Sequence, residues 1–173
     1  ALDCGAIGAM VPMTETIEQA EEIVRWSKYP PLGERGYGSG GANTNYVGGG
    51  KHNEIMEAAN QKIISIAQIE TKLAIDNADK IAAVEGIDVL LIGPNDLSIS
   101  LGMPGDVMNP VELDAIAHVA ACCKKNGKYF GLHAGLKLLE KFSDDLSFVM
   151  SKTDTDILAE GFSQISAHCR KLE

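Results

Sequence analysis

Five short apolar runs, each followed by a stretch with helical spacing, constrain this chain more than any other feature of its sequence. The runs are 6–13 (AIGAMVPM), 63–69 (IISIAQI), 89–92 (VLLI), 129–133 (YFGLH) and 146–150 (LSFVM). They are nearly continuously apolar instead of alternating, which is the pattern of parallel strands covered on both faces. Repeated strand–helix units with right-handed crossovers build a parallel α/β sheet. Two architectures meet that description: an open doubly wound sheet and a (β/α)8 barrel. Between the runs, Ile17, Ala20, Ile23 and Val24 share one helical face, with Thr16 and Gln19 spaced as a capping box. A second helical pattern passes through Ile75, Ile81, Ala82 and Val84. A third is predicted from the Asn109-Pro110 start to Lys125, with Asn126-Gly127 as its stop. A short helix is predicted over 136–142, and a last one over 157–170 with the turn SKTDTD (151–156) as its cap.

A chain of 173 residues, 45% hydrophobic and 23% charged, is sized for one domain with a real core. Fifteen Lys and Arg against 24 Asp and Glu leave a formal charge of -9, which argues against nucleic acid or an anionic membrane surface as partner. No apolar run approaches the roughly 18 residues needed to span a bilayer, and no basic segment leads into an apolar one at the start. A soluble, cytoplasmic protein is expected. Cys4, Cys122, Cys123 and Cys169 form no CxxC pair, so they read as reduced, packing cysteines. His52, His118 and His168 fall on helical stretches and read as surface or packing residues, whereas His133 ends the fourth strand.

The segment 28–50 (KYPPLGERGYGSGGANTNYVGGG) breaks the rhythm and carries eight of the 18 glycines. It reads either as a flexible surface loop or as a long functional loop at one end of the sheet. Its glycines make no dinucleotide fingerprint, because no strand precedes them directly and no helix opens from them. Arg35, embedded in it, is a candidate partner for a substrate carboxylate.

Ligands of parallel α/β folds sit beyond the carboxyl ends of the strands. Only two predicted strand ends deliver a carboxylate at once: Glu70 in QIET (68–71) and Asp96 in GPND (93–96). They are one strand–helix unit apart, and neighbouring strands lie about 4.8 Å apart, so both can reach a common point. Two like charges aimed at one spot need a cation or a proton between them. A hard divalent ion such as Mg, Mn or Co suits two carboxylates with open positions for water or substrate oxygens. The alternative is structural: Glu70 capping the next helix and Asp96 capping the turn DLSIS.

The strings LDCGAIGAMVPM (2–13), KYPPLGERGYG (28–38), AQIET (67–71) and VEGIDVLLIGPNDLSISLGMPG (84–105) resemble the HpcH/HpaI family of metal-dependent, class II pyruvate aldolases. The resemblance runs in order from Leu2 to the last helix. It implies a (β/α)8 TIM barrel, of which residues 1–173 would form a single partial domain supplying about the last five βα units. It also implies a divalent metal on Glu70 and Asp96, with Gln68, the backbone amide of Asn95 and Asp96 at the oxo-acid end of the substrate. The reaction would be reversible cleavage of a 4-hydroxy-2-oxo acid to pyruvate and an aldehyde through a metal-stabilised enolate. Related metal-enolate chemistry, such as oxaloacetate decarboxylation or CoA-thioester cleavage, and a non-catalytic truncated barrel are the competing readings. The family's catalytic His base and enolate-stabilising Arg belong to a region before Leu2 and have no counterpart here. The expectation is therefore a chain lacking the family's N-terminal part and impaired in catalysis by itself. Asp3 matches the acidic residue that orients the absent His. A homo-oligomer is expected, in which the last helix is exchanged between copies, although Ile157, Gly161 and Ile165 suit ordinary barrel packing equally.

Overall fold

The structure, a computed structural model, describes residues 1–172. Five strands, β1 (Gly8–Val11), β2 (Ile64–Ile69), β3 (Val89–Ile92), β4 (Tyr129–His133) and β5 (Phe148–Met150), form one parallel sheet in chain order. The register sets Gly8 opposite Ile64, Ile66 opposite Val89, Val89 opposite Tyr129 and Gly131 opposite Phe148. Unbroken sequential order excludes the doubly wound alternative, which requires a point where strand order reverses. The sheet does not close into a complete eight-stranded barrel. It is a five-stranded arc with free edges at β1 and β5.

Among the described residues seven α-helices cross between or follow the strands: α1 (Ile17–Ser27), α2 (His52–Lys62), α3 (Lys72–Ala82), α4 (Pro94–Ser100), α5 (Pro110–Asn126), α6 (Leu136–Lys141) and α7 (Asp154–Cys169). Their ends follow the local chemistry that the sequence announces. Thr16 accepts from the Gln19 amide while the Gln19 side chain returns to the Thr16 amide, completing the capping box. Asn109 caps α5, with Pro110 in its first turn, and Gly127 stops it at φ 65°. Thr153 and Asp156 make a second box at the start of α7. One helix differs from the sequence reading. DLSIS is the body of α4, not a turn, because extended Gly93 and Pro94 with its fixed φ open a helix directly beyond β3.

Side-chain alternation divides the sheet into two faces. Ala67, Ile69, Leu90, Ile92, Phe130 and Leu132 join the buried residues of α1, α3 and α5 in the main core. Ile66, Val89 and Leu91 point the other way and pack with Ile64, Phe148 and Met150. Cys122 and Cys123 are buried on α5.

The segment 28–50 proves to be two different things. Its first part is an anchor at the amino ends of the strands. Lys28 is buried, and its ammonium donates to the carbonyls of Asn60 and Ile63 and pairs with Asp88 at 3.1 Å. Asp88 also accepts from the Ser65 amide at 2.8 Å, so the buried charge is fully compensated. Tyr29 exchanges two hydrogen bonds with the Asn60 side chain. Gly33 is obligatory here, since a Cβ would lie 2.3 Å from the Lys28 carbonyl oxygen. Residues 36–50 then cross the surface, with a short 3-10 turn at Ala42–Thr44. At the other extreme, α7 buries none of its residues. Among the described residues no helix is long and apolar enough to cross a membrane.

One core group is chemically out of place. Glu112, in the first turn of α5, is fully buried, and neither of its carboxyl oxygens has a hydrogen-bond partner among the described residues. Burial, with the nearby charge of Asp106, pushes its pKa from 4.5 up to about 7. The folded state therefore holds this proton where the unfolded chain has lost it. Stability is full below about pH 4.5 and declines as pH rises through about 7. Glu112→Gln is expected to flatten that decline and to raise stability at pH 8 by roughly 1–3 kcal/mol. Denaturant unfolding of both proteins between pH 5 and 8 checks this, and parallel pH profiles would contradict it.

Candidate functional site

The carboxyl ends of β2 and β3 carry the candidate site. On β2, the alternation that turns Ile64 and Ile66 away from the helices continues to Gln68 and, one residue beyond the strand, Glu70. Glu70 is buried, only 2% exposed. Its Oε1 accepts from the Met13 amide at 2.8 Å and its Oε2 from the Gln68 Nε2 at 2.6 Å. Each oxygen so engaged retains a second lone pair.

Beyond β3, Gly93 continues the register opposite Glu70, and its amide donates to the Ile69 carbonyl at 3.3 Å. The absence of a side chain leaves Glu70 and Gln68 their present positions. A Cβ on Gly93 would lie 2.5 Å from Glu70 Oε2 and 2.8 Å from Gln68 Nε2. Asn95 and Asp96 follow in the first turn of α4, both exposed. Asp96 takes no side-chain hydrogen bond from any described residue, so the structural role of capping a turn does not occupy it. Ser100 on α4 accepts from the Lys72 amide at 2.9 Å, tying the helix that carries Asp96 to the one that begins after Glu70.

Burial raises the Glu70 pKa, and the charge of Asp96 raises it further, while the Met13 and Gln68 hydrogen bonds pull it down. The structure thus brings Glu70, Gln68, Asn95 and Asp96 to one end of two adjacent strands. The two carboxylates lie near enough to repel. Among the described residues no group of three or more His, Cys, Asp or Glu is gathered for a metal. The donor set is therefore two carboxylates with lone pairs to spare. A hard divalent cation fits it, with water or substrate oxygens in the remaining positions.

Other residues singled out from the sequence lie elsewhere. Asp3 precedes β1 on its amino side and pairs with Arg35 at 2.5 Å. Arg35 is itself buried, with its guanidinium 4.7 Å above the Tyr29 ring. It belongs to the amino-end anchor and does not reach the carboxyl-end site. His133 is half-buried at the end of β4, and Asp156 on α7 has its pKa held below the usual range by hydrogen bonds from Thr153, with Lys152 and His133 adding smaller contributions. Met13 was not visible in the sequence as a site residue. Its contribution is a backbone amide presented from a left-handed conformation, φ 53°, which no residue-type pattern announces.

Comparisons with known proteins agree with this architecture. The chain is 41% identical over 165 residues to a 4-hydroxy-2-oxovalerate aldolase of Novosphingobium aromaticivorans, an alignment covering 92% of this chain and 60% of that protein. It is 44% identical over 109 residues to a 2-keto-3-deoxy-L-rhamnonate aldolase of Klebsiella pneumoniae, covering 63% of this chain and 40% of that one. The crystal structure of an HpcH/HpaI aldolase from Desulfitobacterium hafniense superposes with a TM-score of 0.91 at 30% identity, over 99% of this chain and 67% of that one. The chain thus spans about 60% of the length of the first of these relatives. The family model for HpcH/HpaI aldolase/citrate lyase matches residues 1–154, and the chain belongs to that family.

Proposed function

We propose that this chain carries the metal- and oxo-acid-binding part of a class II pyruvate aldolase, built as staves of a (β/α)8 barrel. The reaction is reversible cleavage of a 4-hydroxy-2-oxo acid to pyruvate and an aldehyde. The observation that carries the reading is the convergence of buried Glu70 and exposed Asp96 at the ends of adjacent strands, close enough for one to raise the other's pKa.

In this reading Glu70 and Asp96 hold a divalent cation, which when bound supplies Lewis-acid stabilisation for the charge that develops as the carbon–carbon bond breaks. The protein's own groups do the positioning. Met13 and Gln68 fix both oxygens of Glu70 in place, so it needs little reorganisation to act as a ligand. Asn95 presents a backbone amide from the first turn of α4, where helix N–H groups have no intrahelical acceptor, toward the substrate carboxylate. Gly93 keeps the floor of the site clear. Two carboxylates and a dication sum to about zero charge, so an anionic 2-oxo acid is not repelled. A base is also needed for proton transfer. Of the chain's four histidines only His133 ends a strand, and the family resemblance assigns the base to none of them. The 173-residue chain alone is therefore expected to bind metal and pyruvate but to turn over slowly.

Titration with Mn2+, followed by electron paramagnetic resonance of the free ion, tests the site directly. Glu70→Gln and Asp96→Asn are each expected to weaken binding at least tenfold, and binding equal to that of the unaltered chain would overturn the assignment. Gly93→Ala is expected to weaken Mn2+ to a similar degree, because the added methyl must displace the Glu70 carboxylate or the Gln68 amide. Pyruvate release from a 4-hydroxy-2-oxo acid by protein containing this chain is expected to stop on chelation and return with Mn2+ or Co2+. Activity that survives metal removal would sink the class II reading.

The assembly proposed is a homo-oligomer in which α7 packs on a second copy. Ile157, Leu158, Phe162 and Ile165 lie on one side of a helix that touches no core, and Phe162 is 69% exposed. Replacing Leu158 and Phe162 together by Glu is expected to reduce the assembly to a smaller species in light scattering. An unchanged mass would exclude α7 from the interface.

A further inference from the structure

The turn between β1 and α1 is stitched to the end of β2 by three consecutive residues, and the outermost stitch has no role in the site described so far. Met13 donates its amide to Glu70 Oε1. Thr14, buried, donates its amide to the Gln68 carbonyl at 3.1 Å and its hydroxyl to the Val11 carbonyl at 3.0 Å. Glu15 accepts the Thr71 hydroxyl on Oε1 at 2.7 Å, and its backbone carbonyl accepts from Asn77 Nδ2 at 2.9 Å. Thr71 is the residue directly after Glu70, and Asn77 lies on α3. The Met13 amide reaches Glu70 only because Met13 adopts φ 53°, a conformation that residues other than glycine hold when their surroundings enforce it.

The geometry points to Glu15 as a positioning residue for the proposed metal ligand. Its ties to Thr71 and Asn77, with its amide donated to Gln19 Oε1 at 2.6 Å, clamp the turn on its α1 side while Thr14 clamps it through β2. Met13, directly before Thr14 and Glu15, is held in the strained conformation that aims its N–H at Glu70. Glu15 makes no hydrogen bond to Glu70 and acts on it through the Met13 amide. This inference rests on the aldolase reading for its consequence, but its structural core does not depend on metal.

The test uses the full chain and three variants. Glu15→Ala removes the acceptor for Thr71, and Glu15→Gln restores one. Asn77→Ala removes the second tie and serves if Glu15→Ala fails to fold. Glu15→Ala is expected to weaken Mn2+ about tenfold, in the range typical of groups that orient a ligand. Its thermal midpoint should shift little, and the Met13 amide should exchange with solvent markedly faster. Glu15→Gln is expected to bind Mn2+ within about threefold of the unaltered chain. Mn2+ affinity and Met13 exchange both unchanged in Glu15→Ala would overturn the inference, as would failure of Glu15→Gln to rescue. Should the unaltered chain not bind Mn2+ at all, the metal reading falls. Met13 exchange then decides the positioning claim alone, fast exchange in Glu15→Ala upholding it and unchanged exchange refuting it.

Discussion

A carboxylate kept out of water beside a second negative charge is the interaction around which the carboxyl end of this molecule is arranged. Glu70 is buried, yet two donors hold its oxygens and Asp96 faces it from the next strand's end. Desolvation and like-charge repulsion both oppose ionisation, whereas fixed amide dipoles favour it. The balance is a raised pKa: burial and Asp96 together outweigh the two donors. The register of β2 against β3 places Gly93 beneath Glu70, where a Cβ would press on the Glu70 carboxylate and the Gln68 amide. The short α4 begins at once, so Asp96 arrives within a single turn of the strand.

Much of this was legible in the chain because it depends on local chemistry. VLLI, buried on both faces, could hardly be anything but a central strand. Thr16–Gln19 and Asn109-Pro110 with Gly127 fixed helix ends through hydrogen bonds made within a few residues. Glu70 and Asp96 stood out because acidic residues directly after apolar strands are costly without a purpose. What could not be read were interactions between segments distant in sequence. Nothing near Lys28 announces that its ammonium is buried against Asp88, sixty positions away. The pairing of Arg35 with Asp3 likewise overrode the idea that Arg35 meets substrate. The αL amide of Met13 left no trace in residue type at all.

The fold also explains why the family could be recognised from a part of its usual length. Each strand–helix unit packs mainly on its sequence neighbours, as the unbroken order from β1 to β5 shows. An arc of five units therefore keeps the local geometry of the complete architecture, including the junction of β2 and β3. What the arc lacks is cover for the free edge of β1, where Ile7, Met10 and Val11 are exposed, and for the apolar side of α7. Unpaired strand edges and bare apolar helices are the features that drive chains to associate.

The Lys28–Asp88 anchor lies on the opposite rim of the sheet from Glu70 and Asp96. The two rims therefore draw on different sets of positions, one built on the Lys28–Asp88 pair and the other on buried Glu70 with exposed Asp96. Substitutions in the loops at the carboxyl rim can accumulate without loosening the Lys28–Asp88 rim, so variation at one end of the sheet leaves the other unchanged.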